Sequence, residues 1–296
     1  MSQTVTPELR RWIIEQASAG FSPESVLKAM LDAGWQQPVA EQALERTLLE
    51  HLGSVTPQQL AQAAPEVREA VNAALGVSAQ MPHIDLSGSP RRIDAGDRWV
   101  DVITHLNHPC VVVLGNLLSP EECDAIIESA KPRMARSLTV QTTTGGEEMN
   151  PDRTSNGMFF ARGQTPEVSA VEARIARLVG WPVENGEGVQ VLHYRPGAEY
   201  KPHYDYFDPA EPGTPTILKR GGQRVATLVM YLNEPTRGGG TTFPDVGLEV
   251  APVRGHAVFF SYDRPHPSTR TLHGGAPVLE GEKWVATKWL REREFA

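Results

Sequence analysis

The chain has 296 residues, of which 40% are hydrophobic and 22% charged, and its formal net charge is −8. This composition is typical of a globular protein with one large core and a smaller unit. The negative charge argues against a dedicated nucleic-acid binder. No apolar run is long enough to span a membrane, and no secretory signal is visible. Cys110 and Cys123 lie far outside metal-binding spacing and are expected to be reduced thiols, so we expect a cytoplasmic protein.

Residues 1–52 are predicted to form a bundle of three short helices. Thr6-Pro7 and Ser22-Pro23 are helix start signals, each followed by apolar residues at helical spacing, and a third helix is expected from about residue 38. Two roles are open for this bundle: it packs on the main domain or dimerises, or it docks a protein partner. Residues 53–95 combine one polar helix with coil rich in Pro, Ser and Gly, and are predicted to be a linker.

The pattern changes in residues 96–296, which are predicted to form the main domain. A helix is expected over about residues 98–106, followed by a buried strand over residues 110–114. Ser119 and Glu122 have the spacing of a capping box that opens a helix. A further helix is predicted from about Pro166 to Val179.

Short strands separated by Gly and Pro turns dominate the rest of the chain. They are predicted over residues 189–194, 224–232, 241–243, 248–253, 257–260 and 284–290. Helices followed by strands indicate an α+β domain whose strands form a barrel or a sandwich. Two segments without periodicity, 141–157 and 208–222, are candidate lids over a site.

One short extended stretch, Pro202-His203-Tyr204-Asp205, contains the first chemical signal. Side chains at i and i+2 of an extended segment point to the same side, so His203 and Asp205 lie together. An imidazole beside a carboxylate supplies two thirds of the facial triad that holds non-haem Fe(II). Among the remaining histidines, His273 is the best third ligand, because it precedes the last strand and the glycines after it permit close approach.

Three further residues suit a co-substrate. A 2-oxoglutarate molecule that chelates iron through its keto-acid end leaves a second carboxylate, which needs a buried cation. Lys283 opens the last strand soon after His273 and can supply it. Tyr194 can donate a hydrogen bond from its hydroxyl, and Thr227 is a lone hydroxyl in an apolar strand that needs a buried partner.

Taken together in this order, the residues from about 110 to 292 resemble the prolyl 4-hydroxylase-type family of Fe(II)/2-oxoglutarate dioxygenases. The matching motifs are Gln190-Val191-Leu192-His193-Tyr194, Pro202-His203-Tyr204-Asp205, Arg224-Val225-Ala226-Thr227-Leu228, Phe243-Pro244, Ser268-Thr269-Arg270, His273-Gly274-Gly275-Ala276-Pro277-Val278, Glu282-Lys283-Trp284 and Lys288-Trp289-Leu290. The resemblance implies a double-stranded β-helix (jelly-roll) core with packed helices. It also implies His203, Asp205 and His273 as iron ligands, and Lys283 with Tyr194 and Thr227 around 2-oxoglutarate.

The same resemblance implies a reaction and a substrate. Fe(II), 2-oxoglutarate and O2 are the expected cofactor and co-substrates, with L-ascorbate as a reductant. The expected products are succinate, CO2 and a substrate hydroxylated at an unactivated C–H bond. Our first choice for this substrate is peptidyl proline. Four residues fall where family members contact a peptide: Arg153, Ser155, Glu187 and Tyr200.

Three alternative functions are open from the sequence. The first is a hydroxylase of a free amino acid or another small molecule. The second is a zinc-dependent hydrolase that uses the same three ligands and a metal-bound water, although it has no use for Lys283. The third is a catalytically silent interaction module in which the N-terminal bundle is the active part.

Overall fold

The structure is a computed structural model, and it describes residues 5–18, 23–37, 39–40, 43–44, 47, 81–136, 139–140, 147–148 and 154–296. The chain divides into two compact units, residues 1–79 and 80–296. The division falls inside the segment predicted to be a linker. Among the described residues, no helix is both long and apolar enough to cross a bilayer.

In the first unit, two helices share an apolar core. Helix α1 spans Pro7–Ser18 and α2 spans Pro23–Asp32. The Leu9 amide donates to the Thr6 hydroxyl at 3.3 Å, so the predicted start of α1 is confirmed. The buried residues of this core are Ile13, Val26, Met30, Ala40, Ala43 and Leu44. The three-helix bundle itself stays a prediction, because much of the expected third helix lies outside the described residues.

The second unit is built mainly of antiparallel strands. In chain order they are β1 (Arg92–Asp94), β2 (Trp99–Leu106), β3 (Cys110–Gly115), β4 (Ala135–Arg136), β5 (Thr139–Val140), β6 (Glu147–Glu148), β7 (Asn156–Phe160), β8 (Val189–Tyr194), β9 (Tyr200–His203), β10 (Arg224–Tyr231), β11 (Arg237–Gly238), β12 (Thr241–Phe243), β13 (Leu248–Val250), β14 (Ala257–Ser261), β15 (His273–Gly275), β16 (Val278–Glu280) and β17 (Lys283–Arg291).

Two sheets organise these strands. The large one has nine strands in the order β1-β2-β3-β14-β10-β17-β8-β7-β4, and the small one has four in the order β13-β12-β15-β9. Strands β11 and β16 form a ribbon, as do β5 and β6. Apolar side chains from both sheets share one core, with Leu192 and Val285 from the large sheet and Phe243 and Val250 from the small one. This α+β arrangement is consistent with the predicted jelly-roll core.

Helices cover the other face of the large sheet. These are α3, which spans Pro120–Ala130, and α4, which spans Pro166–Val179, both as predicted. A further single turn, α5, spans Thr214–Ile217 within the second candidate lid. The capping box of α3 is present, because the Glu122 amide donates to the Ser119 hydroxyl and the Ser119 amide donates to the Glu122 carboxylate. Short 3-10 turns span Lys131–Arg133, Val183–Asn185, Pro244–Val246 and Pro267–Thr269.

The helix predicted over residues 98–106 is wrong, because this segment forms strand β2. Val100, Val102, Ile103 and Thr104 are β-branched, which restricts their χ1 angles in a helix and suits a pleated sheet. Strand β2 pairs with β1 on one side and β3 on the other. Residues before 96 also belong to this unit, since Ile84 and Ala95 are part of its core.

Candidate active site

Neighbouring strands of the small sheet bring the predicted ligands together. His203 ends β9 and His273 begins β15, and the two residues are register partners. The Asp205 carboxylate places Oδ1 3.6 Å from His203 Nε2 and Oδ2 3.5 Å from His273 Nε2. One donor atom from each of the three residues lies within 4.8 Å of the others. This spacing suits a single metal ion.

Local backbone geometry makes this approach possible. A Cβ atom added at Gly274 would lie 2.9 Å from the Tyr200 carbonyl oxygen, so a side chain there would push β15 away from β9. Gly197, at φ 82°, turns the chain from β8 of the large sheet into β9 of the small one. The glycine after His273 therefore has the role that the sequence indicated.

Backbone carbonyls fix which nitrogen of each histidine faces the ligand position. His203 Nδ1 lies 2.9 Å from the Lys201 carbonyl, and His273 Nδ1 lies 3.0 Å from the Thr271 carbonyl. A carbonyl oxygen only accepts, so each Nδ1 carries the proton and donates. The lone pair of each ring is then on Nε2, the atom that faces Asp205.

The charge states of these residues suit a metal ion. Burial acts to raise the pKa of Asp205, but His273, His203 and Arg224 together lower it well below its ordinary value. Burial lowers the pKa of His273 to about 4, although Asp205 acts in the opposite direction. At neutral pH the site therefore presents an ionised carboxylate and a neutral His273 imidazole, which are the forms that bind metal.

The Thr227 hydroxyl is placed differently from the sequence-based expectation. It donates to Asp205 Oδ2 at 2.7 Å and lies 3.1 Å from the Tyr262 hydroxyl. It does not line the cleft described below. The buried partner that this hydroxyl needed is thus the metal-ligand candidate Asp205, and its role is to hold that carboxylate.

Lys283 and Tyr194 meet on the large sheet. Lys283 begins β17 and is the register partner of Tyr194, the last residue of β8. The Lys283 ammonium lies 5.5 Å from the centroid of the Tyr194 ring and 5.8 Å from that of Tyr231. Burial lowers the pKa of Lys283 to about 8, with Glu249 acting in the opposite direction. No hydrogen bond or ion pair to a described residue satisfies this ammonium.

A cleft of about 450 Å³, counting the part open to solvent, connects these groups. His203, Asp205 and His273 line it together with Lys283. Alternate residues of β17 form one wall, and these are Lys283, Val285, Thr287 and Trp289. The metal candidates and the buried cation therefore open into a single space.

The residues expected to contact a peptide have different positions. Tyr200 lines the cleft, and its ring stacks on His203 with centroids 3.7 Å apart. Ser155 is fully buried. Glu187 is buried too, and its carboxylate accepts hydrogen bonds from Arg224 and Arg291, so its oxygens do not face the cleft. Arg153 lies outside the described residues.

The sequence analysis did not single out several cleft residues, of which Thr241 and Trp289 have contacts that suggest a role. Thr241, the first residue of β12, lines the cleft, and its hydroxyl accepts a hydrogen bond from Tyr231. Trp289 lines the cleft and stacks against the Arg224 guanidinium, which lies 4.0 Å from its ring centroid. Strand alternation from Lys283 would have found Trp289, since residues 283 and 289 share one face. Thr241 follows a turn, and so alternation gave no signal for it.

Comparisons with known proteins agree with this geometry. The family model described as the 2OG-Fe(II) oxygenase superfamily matches residues 189–291. Prolyl 4-hydroxylase 5 of Arabidopsis thaliana is 43% identical over 222 residues, which cover 68% of this chain and 74% of that protein. The chain belongs to the prolyl 4-hydroxylase-type family of Fe(II)/2-oxoglutarate oxygenases. It is therefore a 2-oxoglutarate-dependent dioxygenase.

Other relatives of this dioxygenase have similar names. Prolyl 4-hydroxylase 1 of Arabidopsis thaliana is 43% identical over 202 residues, which cover 62% of this chain and 70% of that protein. A viral collagen prolyl hydroxylase from Paramecium bursaria Chlorella virus-1, solved with 2OG, is 28% identical, with a TM-score of 0.48, over 61% of this chain and 95% of its own. The family assignment depends on the sequence relatives.

The residues present fit the iron and the 2-oxoglutarate that the family implies. A donor set of two imidazoles and one carboxylate is the facial triad of non-haem iron oxygenases. The Lys283 ammonium is a buried cation whose charge is unmatched among the described residues, which suits a carboxylate ligand. A zinc hydrolase would leave this cation without a function.

Proposed function

We propose that this dioxygenase is a peptidyl prolyl 4-hydroxylase. It couples the conversion of 2-oxoglutarate to succinate and CO2 with the hydroxylation of a proline in a peptide or protein. The main observation in support is that one cleft contains both the His/Asp/His set and the unmatched Lys283 ammonium. The relatives named prolyl 4-hydroxylase support the choice of proline.

In this proposal His203, Asp205 and His273 hold Fe(II). The bound iron supplies activation of O2, coupled to oxidation of 2-oxoglutarate. With only three protein ligands, the bound metal would also have room to bind the co-substrates. Thr227 donates a hydrogen bond to Asp205 Oδ2 and would hold that carboxylate in place for the metal.

Lys283, Thr241 and Tyr194 are proposed to bind the far carboxylate of 2-oxoglutarate. All three line the cleft, and an ammonium and two hydroxyls offer only donors to an anion in that role. A Cβ atom added at Gly275 would lie 3.9 Å from the Lys283 ammonium, and Gly275 is the register partner of Thr241. Lys283 and Thr241 therefore converge on the same end of the cleft.

The peptide is proposed to bind at the other end of the β17 wall. Trp289 contributes an aromatic side chain to the cleft wall, and the Arg224 guanidinium stacks against its ring. Tyr200 contributes a second aromatic surface. Glu187 is proposed to act indirectly by holding Arg224 against Trp289, while Arg153 and Ser155 stay predicted contacts.

The test is a turnover assay on the full chain with Fe(II), 2-oxoglutarate and L-ascorbate. Proline-containing peptides, free proline and other free amino acids are offered separately, and succinate and an oxygen-atom mass gain are measured. We expect the mass gain on peptidyl proline, in equal amount to succinate. His203→Ala should abolish both signals, whereas His105→Ala, at an exposed histidine of β2, should change neither.

Two outcomes would contradict parts of the proposal. Hydroxylation of a free amino acid without modification of any peptide would assign the enzyme to the small-molecule alternative. Succinate formation by His203→Ala at the wild-type rate would overturn the metal site.

A further inference from the structure

Tyr231 is a buried tyrosine that does not line the cleft. It ends β10, is 0% exposed and belongs to the core between the two sheets. Burial raises the pKa of its phenol, so the hydroxyl keeps its proton at any physiological pH. A buried phenol normally has a hydrogen-bond partner, and the identity of this partner is informative.

The partner of the phenol is the hydroxyl of Thr241, a cleft residue. The Tyr231 hydroxyl donates to Thr241 Oγ1 at 2.7 Å. A threonine hydroxyl has one proton, and no other described residue accepts it from Thr241. With an oxygen lone pair already occupied by Tyr231, the Thr241 hydroxyl is set to donate its proton into the cleft.

The ring of Tyr231 faces Lys283, the other residue proposed to bind the far carboxylate at this end of the cleft. The Lys283 ammonium lies 5.8 Å from the Tyr231 ring centroid, within the range of a cation–π interaction. Among the residues that the structure describes, no carboxylate forms an ion pair with this ammonium, although Glu249 interacts with it at longer range. The rings of Tyr194 and Tyr231 partly offset its burial without neutralising it. The cation thus keeps its full charge for a ligand.

We propose that Tyr231 is a positioning residue for the far carboxylate of 2-oxoglutarate and sets the selectivity for a dicarboxylic 2-oxo acid. Its phenol orients Thr241 as a donor, and its ring holds the Lys283 ammonium beside it. The inference depends on the proposed assignment of Lys283 and Thr241 to this carboxylate. It adds a residue that acts only through those two.

The test compares two ligands on Tyr231→Phe, which keeps the ring and removes the hydroxyl. Protein loaded with Mn(II) is titrated in a calorimeter, without O2, with 2-oxoglutarate and with 2-oxopentanoate, in which a methyl group replaces the far carboxylate. We expect Tyr231→Phe to weaken 2-oxoglutarate binding by about tenfold, the size of one hydrogen bond in a charged network. Binding of 2-oxopentanoate and of Mn(II) should change less than about twofold. The substitution removes only the hydroxyl that orients Thr241, and neither of these ligands has a far carboxylate for Thr241 to bind.

Control variants separate orientation from packing. Thr241→Val should weaken 2-oxoglutarate in the same ligand-dependent way, and combining it with Tyr231→Phe should add little, because both act on one hydroxyl. Tyr206→Phe removes a hydroxyl from another buried tyrosine, one that does not line the cleft, and should leave both ligands unaffected.

Each other result overturns the inference. If Tyr231→Phe binds 2-oxoglutarate as tightly as wild type, or weakens both ligands equally, Tyr231 does not position the carboxylate end. If the wild-type protein itself does not prefer 2-oxoglutarate to 2-oxopentanoate, the proposed co-substrate site fails, and the role of Tyr231 fails with it.

Discussion

Two buried lysines on strand β17 show how this molecule treats charge in two different ways. Lys288 is 1% exposed and Lys283 is 4% exposed, and they lie on opposite faces of the strand. Lys288 donates to the Glu172 carboxylate at 2.6 Å and to the Glu187 carbonyl. Lys283 has no such partner among the described residues and faces the cleft.

The difference separates a structural charge from a functional one. Burial lowers the pKa of both lysines, but at Lys288 the ion pair with Glu172 opposes this effect directly. A buried charge without a partner costs free energy of folding, and a fold retains it where a ligand completes the pair. We therefore infer that the unmatched lysine marks a ligand site, whereas the matched one stabilises the packing of α4 on the sheet.

The largest effect is expected from Lys288→Met. The substitution leaves the Glu172 carboxylate, which is 3% exposed, without its cation. Breaking a buried ion pair in this way costs about 3–5 kcal/mol of unfolding free energy. Urea unfolding would measure the loss, with Lys219→Met at an exposed lysine as the control. A change within about 1 kcal/mol, the usual range for an exposed ion pair, would contradict the structural role.

Lys283→Met should increase the free energy of unfolding, whereas Lys288→Met should decrease it. The folded-state pKa near 8 lies below the ordinary value of 10.5, so folding disfavours the charged form at neutral pH. Removing the charge should raise the unfolding free energy at pH 7 by up to about 3 kcal/mol. The gain over wild type should shrink as the pH rises from 8 to 10.5, because over this range the unfolded wild-type chain binds more protons than the folded one, so that the stability of the wild type rises with pH.

The same variant should lose its co-substrate. Without the ammonium, 2-oxoglutarate binding should fall by about thirtyfold or more, as a charge-assisted hydrogen bond is lost. Calorimetric titration would measure it. If Lys283→Met is less stable than wild type, or binds 2-oxoglutarate normally, then Lys283 has a structural role like that of Lys288.

Thr227→Val tests the same contrast on the metal side of the cleft. The Asp205 carboxylate accepts a hydrogen bond from the Thr227 hydroxyl and also faces the metal position. It therefore combines a structural contact with a predicted ligand role. Loss of a hydrogen bond that orients a ligand typically lowers metal affinity by about 10–100-fold. Competition with a chelator would measure Co(II) affinity, and Thr227→Ser should restore it. Unchanged affinity in Thr227→Val would show that the bond does not orient Asp205.

The smallest effect is a pH dependence of 2-oxoglutarate affinity. Lys283 with a pKa near 8 loses its charge as the pH rises, so binding to the wild type should weaken by up to about tenfold per pH unit above 8. Lys283→Met should lack this dependence. Titrations between pH 7 and 9.5 would check it, and an affinity that is constant over this range would contradict the lowered pKa.

The clustering of His203, Asp205 and His273 was predictable because it depends on local rules. His203 and Asp205 share a side by strand alternation, and glycines after His273 indicated a close approach that Gly274 makes. The long apolar strand β10, the capping box of α3 and the bounds of α4 follow from similar short-range patterns.

The role of a side chain was not predictable where its partner lies on a distant strand or on the other sheet. The sequence indicated that the Thr227 hydroxyl needs a partner, but Asp205 and not the cleft supplies it, while Thr241 from another sheet lines the cleft. Glu187 likewise has its arginine partners on β10 and β17, which no local pattern connects. Strand β2 was misassigned because its apolar spacing fits a helix when its neighbours in the sheet are unknown.

The central claim is that Lys283 is an unpaired buried cation kept for a carboxylate. Its pKa can be measured directly by NMR on protein with labelled lysines, assigned with Lys283→Met, before and after saturation with 2-oxoglutarate on a diamagnetic metal. We predict a pKa near 8 in the free protein and a clear rise when 2-oxoglutarate binds. An ordinary lysine pKa in the free protein, or a value that 2-oxoglutarate leaves unchanged, would contradict the account.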